Sequence, residues 1–308
     1  MKARRFPEFL QDAGCRAFTV VELLVAVSVL SLIVLVLYGL FDQVQRALRG
    51  NVAQVDVLEG GRAAMQLLST EMEQMAPGSV PGSTNLFISM TAPPYQQAML
   101  DPGTNRVNLL DQVFFVSHLN KTWTGTGYRV LSLNSNGIPM ALAENGVGAL
   151  CRYFTNVSDS DFPNLPASPN SPRTNLCWQV MNGLFMNEIV NPPLSNLTNY
   201  QEVLDGVVHF HVRAFDRNGL LITNSFNTNI ASGLQVLGNR LNNDIEYAYT
   251  FTNQALPSYL EVEMGILEPH VRERYKAFPD PTVASNYLAR QVGAVHLFQQ
   301  RIPIHAAK

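Results

Sequence analysis

Apolar positions show three textures along the chain. From Phe18 to Phe41 they are nearly continuous, and FTVVELLVAVSVLSLIVLVLYGLF holds one charged side chain, Glu22. A helix over this run spans ~36 Å at about 1.5 Å per residue, enough to cross a bilayer core of ~30 Å. Beyond it the apolar residues thin to every third or fourth position: Val44, Leu48, Val52, Val55, Leu58, Met65, Leu68, Met72 and Met75. Arg46, Asp56, Glu59, Arg62, Glu71 and Glu73 fill the other faces. This spacing predicts that an amphipathic helix over 42–76 continues the first. Its distal stripe would enter a core, and its proximal part would meet lipid or neighbouring helices. Pro77-Gly78 ends it. Gly50 and Gly60-Gly61 predict interruptions and a bend, each glycine costing ~1 kcal/mol against alanine.

From residue 77 onward, Asn, Ser, Pro and Gly clusters separate short β-like runs. The expected strands are Asn85–Met90, Gln112–Leu119, Tyr128–Leu133, Gly148–Phe154, Leu176–Met181, Val207–Phe215, Leu220–Thr223 and Ser258–Leu267. A last strand is expected near Ala294–Ile302, entered from a helix end. Two runs alternate cleanly. Val208, Phe210, Val212 and Ala214 oppose His209, His211 and Arg213; Leu260, Val262, Met264 and Ile266 oppose Glu261 and Glu263. Both read as half-buried antiparallel strands, with the histidines and glutamates paired on a solvated face. The fold class is therefore α+β, a long N-terminal helix on an antiparallel sheet, with 77–308 as one β-rich domain.

Charge refines the ends of this picture. Lys2, Arg4, Arg5 and Arg16 precede the apolar run and outnumber Glu8 and Asp12. The positive-inside tendency keeps this leader cytoplasmic and places everything after Phe41 across the membrane. A carboxylate within a membrane helix costs roughly 2.5–3.5 kcal/mol at its centre, so Glu22 needs a partner or a function. The whole chain carries a net charge of −3, and removing residues 1–17 makes it more acidic. No basic face of the kind that holds nucleic acid is expected.

The residues around Glu22 carry a resemblance. Ala17-Phe18-Thr19-Val20-Val21-Glu22, followed by a long apolar run, resembles the prepilin signal of type IV pilins and pseudopilins. In that family a small residue, usually Gly, precedes Phe-Thr-x-x-Glu. The resemblance implies cleavage between Ala17 and Phe18 by prepilin peptidase, N-methylation of Phe18, and an assembly role for Glu22. In that role the Glu22 carboxylate neutralises a neighbouring subunit's new amine. It also implies a leader over 1–17, an assembly helix over 18–41, and a pilin-like fold.

Further along, Val203-Leu-Asp-Gly-Val-Val208 and Leu256-Pro-Ser-Tyr-Leu-Glu-Val262 are similar to the layout of J-type minor pseudopilins of type II secretion. The closing Leu297-Phe298-x-x-Arg301-Ile-Pro-Ile304 resembles prepilin-like proteins of the Verru_Chthon cassettes. The implied partners are other pilin-like subunits, prepilin peptidase, the inner-membrane assembly platform, and lipid along 18–41. The implied location is the bacterial inner membrane, single-pass, with the C-terminal domain in the periplasm.

Chemistry-bearing motifs add little. There is no HExxH, GxSxG, Walker loop or dinucleotide-binding glycine motif. The expectation is a structural subunit without catalytic residues, cofactor or metal. The alternatives are a signal-anchored periplasmic enzyme or binding domain, and an adhesive type IV minor pilin. Asp159 and Asp161 form only a fragment of a calcium loop. Cys15 lies in the leader, whereas Cys151 and Cys177 lie in the exported part, where a disulfide between them is expected.

Overall fold

The computed structural model describes residues 19–78, 83–91, 95–98, 105–134, 136–143, 146–158, 197, 199–225, 233–241 and 244–305. The chain divides into two units, 1–52 and 53–308. Helix α1 runs Val20–Met72 without a break. The interruptions expected at Gly50 and Gly60-Gly61 are absent. Up to Val52 its apolar side chains are exposed. It is the one helix among the described residues long and apolar enough to cross a membrane.

In the second unit, α1 buries Val57, Ala64, Met65, Leu68 and Met72 against the sheet, at helical spacing. The chain after the helix is pinned rather than loose. Met75 bridges Ser117, and the Gly78 N–H donates to Asn85 Oδ1 at 2.7 Å. Asn85 is fully buried, and its amide donates in turn to the Asn253 and Ala255 carbonyls.

Among the described residues the sheet has antiparallel ladders, with a single parallel bridge joining Leu110 to Phe210. Its strands are β1 (Thr84–Met90), β4 (Asp111–Leu119), β5 (Thr122–Leu133), β6 (Pro139–Leu142), β7 (Gly148–Ser158), β8 (Gln201–Phe215), β9 (Leu234–Leu241), β10 (Asp244–Thr252), β11 (Tyr259–Leu267) and β12 (Val295–Pro303). The order is β12-β11-β8-β7-β5-β4-β1-β10-β9, with β6 added to β5. A separate hairpin joins β2 (Tyr95–Ala98) to β3 (Asn105–Asn108). Helices α2 (Pro269–Lys276) and α3 (Pro281–Ala289) connect β11 to β12. Each begins with proline, whose missing N–H costs nothing there, and Asp280 caps α3 by accepting from the Thr282 N–H.

Period-two alternation sends one face of the sheet to α1 and the other to separate clusters. In β7, Leu150 joins the main core while Cys151 and Tyr153 join Phe114, Trp123 and Tyr200 behind the sheet. A third cluster, including Val208, Leu267, Val271 and Leu288, lies under α2 and α3.

The expected strands mostly appear, often longer than the pattern suggested. Leu220–Thr223 does not: there the chain makes only a single bridge, Leu221 to Phe215. Asp216 takes the Asn218 and Leu220 N–H groups on its carboxylate, which makes a tight turn rather than a ladder. Leu176–Met181 lies outside the described residues.

Candidate functional site

Helix α1 starts with reciprocal capping. The Thr19 hydroxyl accepts the Glu22 N–H at 3.3 Å. Glu22 Oε2 accepts both the Thr19 N–H and its hydroxyl, each at 3.0 Å. Thr-x-x-Glu is the capping-box spacing, which satisfies helix N–H groups that have no intrahelical acceptor. Glu22 therefore has a local role besides the assembly role that the resemblance implies. The spacing was readable from the sequence. The expected cleavage and methylation residues, Ala17 and Phe18, lie outside the described residues.

Lower on the helix, the glycine pair permits a close approach. A Cβ on Gly61 would lie 2.3 Å from Phe298 Cζ and 2.8 Å from Ile266 Cδ1, and one on Gly60 would lie 3.1 Å from Leu204 Cδ1. These glycines are contact positions for β12, β11 and β8. At Gly50 nothing lies within 4 Å.

About three turns beyond Gly61, Glu71 accepts from Arg152 Nη2 at 2.6 Å and Nε at 3.1 Å, and also from the Tyr128 hydroxyl. Burial, with the carboxylate beside it, raises the Tyr128 phenol well above its ordinary range. This bidentate pair fastens the helix to β7 and β5.

The sheet's polar centre is a buried cluster. Strand β8 changes neighbours part-way along: β7 pairs with Gln201–Val207, and β11 with Val207–Phe215. The edge of β8 that β7 leaves is filled from the segment before β4. The Phe210 N–H donates to the Leu109 carbonyl at 2.8 Å, and the Val212 N–H to Asp111 Oδ2 at 2.9 Å. The Asp111 carboxylate thus stands in for a strand carbonyl.

The same fold-over covers the histidines. The solvated face expected for His209 and His211 is buried, because Leu109–Asp111 and β10 close over it. His211 Nδ1 lies 2.8 Å from Asp111 Oδ2, and its Nε2 lies 3.2 Å from Glu246 Oε2. His209 Nδ1 accepts the Leu109 N–H at 3.0 Å, which leaves the proton of a neutral ring on Nε2, 3.5 Å from Glu263 Oε2. Arg213 Nη2 reaches Glu261 at 2.9 Å and Glu263 at 2.7 Å. The expected β8–β11 pairing of these charged residues is present, with His211 opposite Glu263 and Arg213 opposite Glu261.

The two rings titrate in opposite directions. Burial pushes the His211 imidazolium down, but Asp111 and Glu246 outweigh it and hold the group up at about 10. Burial lowers His209, and the charges of Arg106 and His211 add to that. Glu263 is held at about 2 by its contact with His209, against burial and with help from Arg213. Near neutral pH, His211 is a cation between two acids and His209 is neutral. The sequence did not single out Asp111 or Glu246.

Among the described residues no group of three or more His, Cys, Asp or Glu is arranged to hold a metal ion. Cys151 is buried in β7, its Sγ 3.5 Å from the Ala149 carbonyl, and burial pushes its thiol up to about 12. Cys177, Asp159 and Asp161 lie outside the described residues, so neither the disulfide nor the calcium fragment has a geometry here.

Residues 12–38 match the family model described as the prokaryotic N-terminal methylation motif. The chain carries a prepilin-type signal. That signal supports a type IV pilin-like protein that prepilin peptidase processes and that meets other pilin subunits, and α1 is consistent with its membrane anchor. No curated protein and no solved structure shows a significant match to the chain.

Proposed function

We propose that the chain is a minor pseudopilin, a non-catalytic structural subunit of a periplasmic filament of the type II secretion or type IV pilus kind. The observation that carries this reading is the prepilin-type signal leading straight into an apolar helix whose side chains are exposed up to Val52. An exposed stripe of this length requires lipid before assembly and neighbouring helices after it. In this reading the peptidase cuts between Ala17 and Phe18 on the cytoplasmic side and Phe18 is methylated. Glu22 then compensates a neighbour's amine, while the domain after α1 lies in the periplasm at the end of a filament.

The test is the intact mass and N-terminal sequence of the full chain made with and without a prepilin peptidase. The expected product begins at methylated Phe18 only when the peptidase is present. An uncut chain, or a cut beyond Gly39, overturns the reading. Glu22→Ala should leave cleavage intact and abolish co-purification with partner subunits; unchanged co-purification removes the assembly role of Glu22.

A further inference from the structure

The sheet ends in two border strands, and among the described residues only one is closed. At β9 the Thr252 N–H donates to the Gly233 carbonyl, so residues of the same parity as 233 pair inward with β10. Leu234, Val236 and Gly238 then present their backbone outward. Ser225 closes the middle of that border: its hydroxyl accepts the Val236 N–H at 2.8 Å and reaches the Val236 carbonyl at 3.5 Å.

At β12 the parity is fixed from both ends. The Ile304 N–H donates to the Ser258 carbonyl, and the Glu268 N–H to the Ala294 carbonyl. Even-numbered residues of β12 therefore bond to β11, and Val295, Leu297, Gln299 and Arg301 direct their N–H and C=O groups outward. No described residue pairs with this border. Its protection is slight: one charged side chain, Arg301, but no lysine, no bulge, and proline only at its last position. Leu297 is 50% exposed.

A groove runs between this border and α1. Met65 and Phe298 form its floor, and Arg62, Gln66 and Thr70, one turn apart, form the helical wall. Arg62 is exposed and has no ion-pair partner among the described residues.

We propose that the β12 border receives an extended segment of a different protein as an added strand. That segment is apolar where it lies over Met65 and Phe298, and carries a carboxylate for Arg62. The unpaired backbone groups dictate an extended main chain, the groove an apolar side chain, and the guanidinium an acid. A second copy fits less well. Strand β12 contains no acidic residue, so β12–β12 pairing leaves Arg62 uncompensated, and β9 is blocked by Ser225. This inference goes beyond the filament reading and does not depend on the N-terminal signal.

The test uses the full chain in detergent micelles and fluorescent eight-residue peptides alternating Val and Thr, with one Glu, or Lys in its place. The expected result is saturable binding of the Glu peptide, about two- to fivefold tighter than the Lys peptide, with the preference reversed by Arg62→Glu. Gln299→Pro removes one outward N–H and should weaken binding about tenfold, whereas Gln299→Ala should not change it. Hydrogen exchange gives a second readout that needs no variant. The amides of residues 297, 299 and 301 should exchange fast alone and become protected with peptide. No protection up to about 1 mM peptide overturns the proposal. So does protection that grows with protein concentration alone, since a second copy is then the occupant.

Discussion

A single oxygen of Asp111 serves His211 twice over: Oδ2 lies 2.8 Å from the imidazole Nδ1 and accepts the N–H of the next residue, Val212, at 2.9 Å. The carboxylate fixes both the ring and the strand that carries it. Asp111 and Glu246 come from strands that are not β8's ladder neighbours, so the cluster closes the sheet on itself. Removing the central cation leaves two acids facing each other. His211→Ala should therefore cost about 3–5 kcal/mol, read as a lowered midpoint in denaturant unfolding of the full chain in detergent. Asp111→Asn should cost less, because an amide oxygen still accepts the Val212 N–H.

The paired histidines predict a stability optimum in pH. The His211 pKa is raised, so its contribution is complete below the unfolded value near 6.5 and is lost as pH rises towards about 10. The His209 pKa is lowered, so its contribution is complete above about 6.5 and declines as pH falls below that. Glu263, held at about 2, adds an acid limb that begins below its unfolded pKa. The unfolding midpoint should peak near pH 6.5. His211→Asn should flatten the alkaline limb, and His209→Asn the acid limb just below pH 6.5. An unfolding midpoint that keeps rising from pH 7 to 9 would contradict this assignment.

Two glycines in one helix should respond with opposite signs. Gly50→Ala meets nothing and should gain up to ~1 kcal/mol of helix stability. Gly61→Ala gains the same propensity, but its methyl enters the Phe298 ring, and overpacking costs about 1–3 kcal/mol. Circular dichroism at the helix wavelength, followed through thermal unfolding, separates the two.

The Glu71 attachment predicts non-additivity. Arg152→Ala and Glu71→Gln should each cost about 1.5–3 kcal/mol, and the double variant less than their sum. Tyr128→Phe should cost about 1 kcal/mol in the parent and almost nothing once Glu71 is gone. Equal, additive costs in a double-mutant cycle would mean that the three groups do not act together.

The sequence made the helix and several central strands legible, because their periods are long or clean: α1 over Val20–Met72, and the alternation in β8 and β11. Alternation tells which residues share a face but not what covers it. His209 and His211 read as solvated only because the cover comes from Leu109 and Glu246, far away in sequence. Strand β10 was legible in principle, since Tyr247, Tyr249 and Phe251 alternate across it. Strand β9, interrupted by Gly238 and Asn239, has little pattern of its own and relies on β10 for its register. The roles of Gly60 and Gly61 were misread because a glycine that weakens a helix and one that admits a neighbour look the same in sequence. The cap was present in the letters Thr19-x-x-Glu22, but the same letters also belong to the prepilin signal.

The contact at Gly61 also gives the molecule a mechanical reading. With Phe298 seated where a Cβ would be, the sheet senses the axial position of the helix. Slippage of the helix by one residue towards its N-terminal end, about 1.5 Å, sets the Arg62 side chain against the ring in place of a hydrogen. A pull along this part of α1 is therefore not absorbed by sliding. It reaches β12 through one aromatic ring, and β12 passes it on through its ladder with β11.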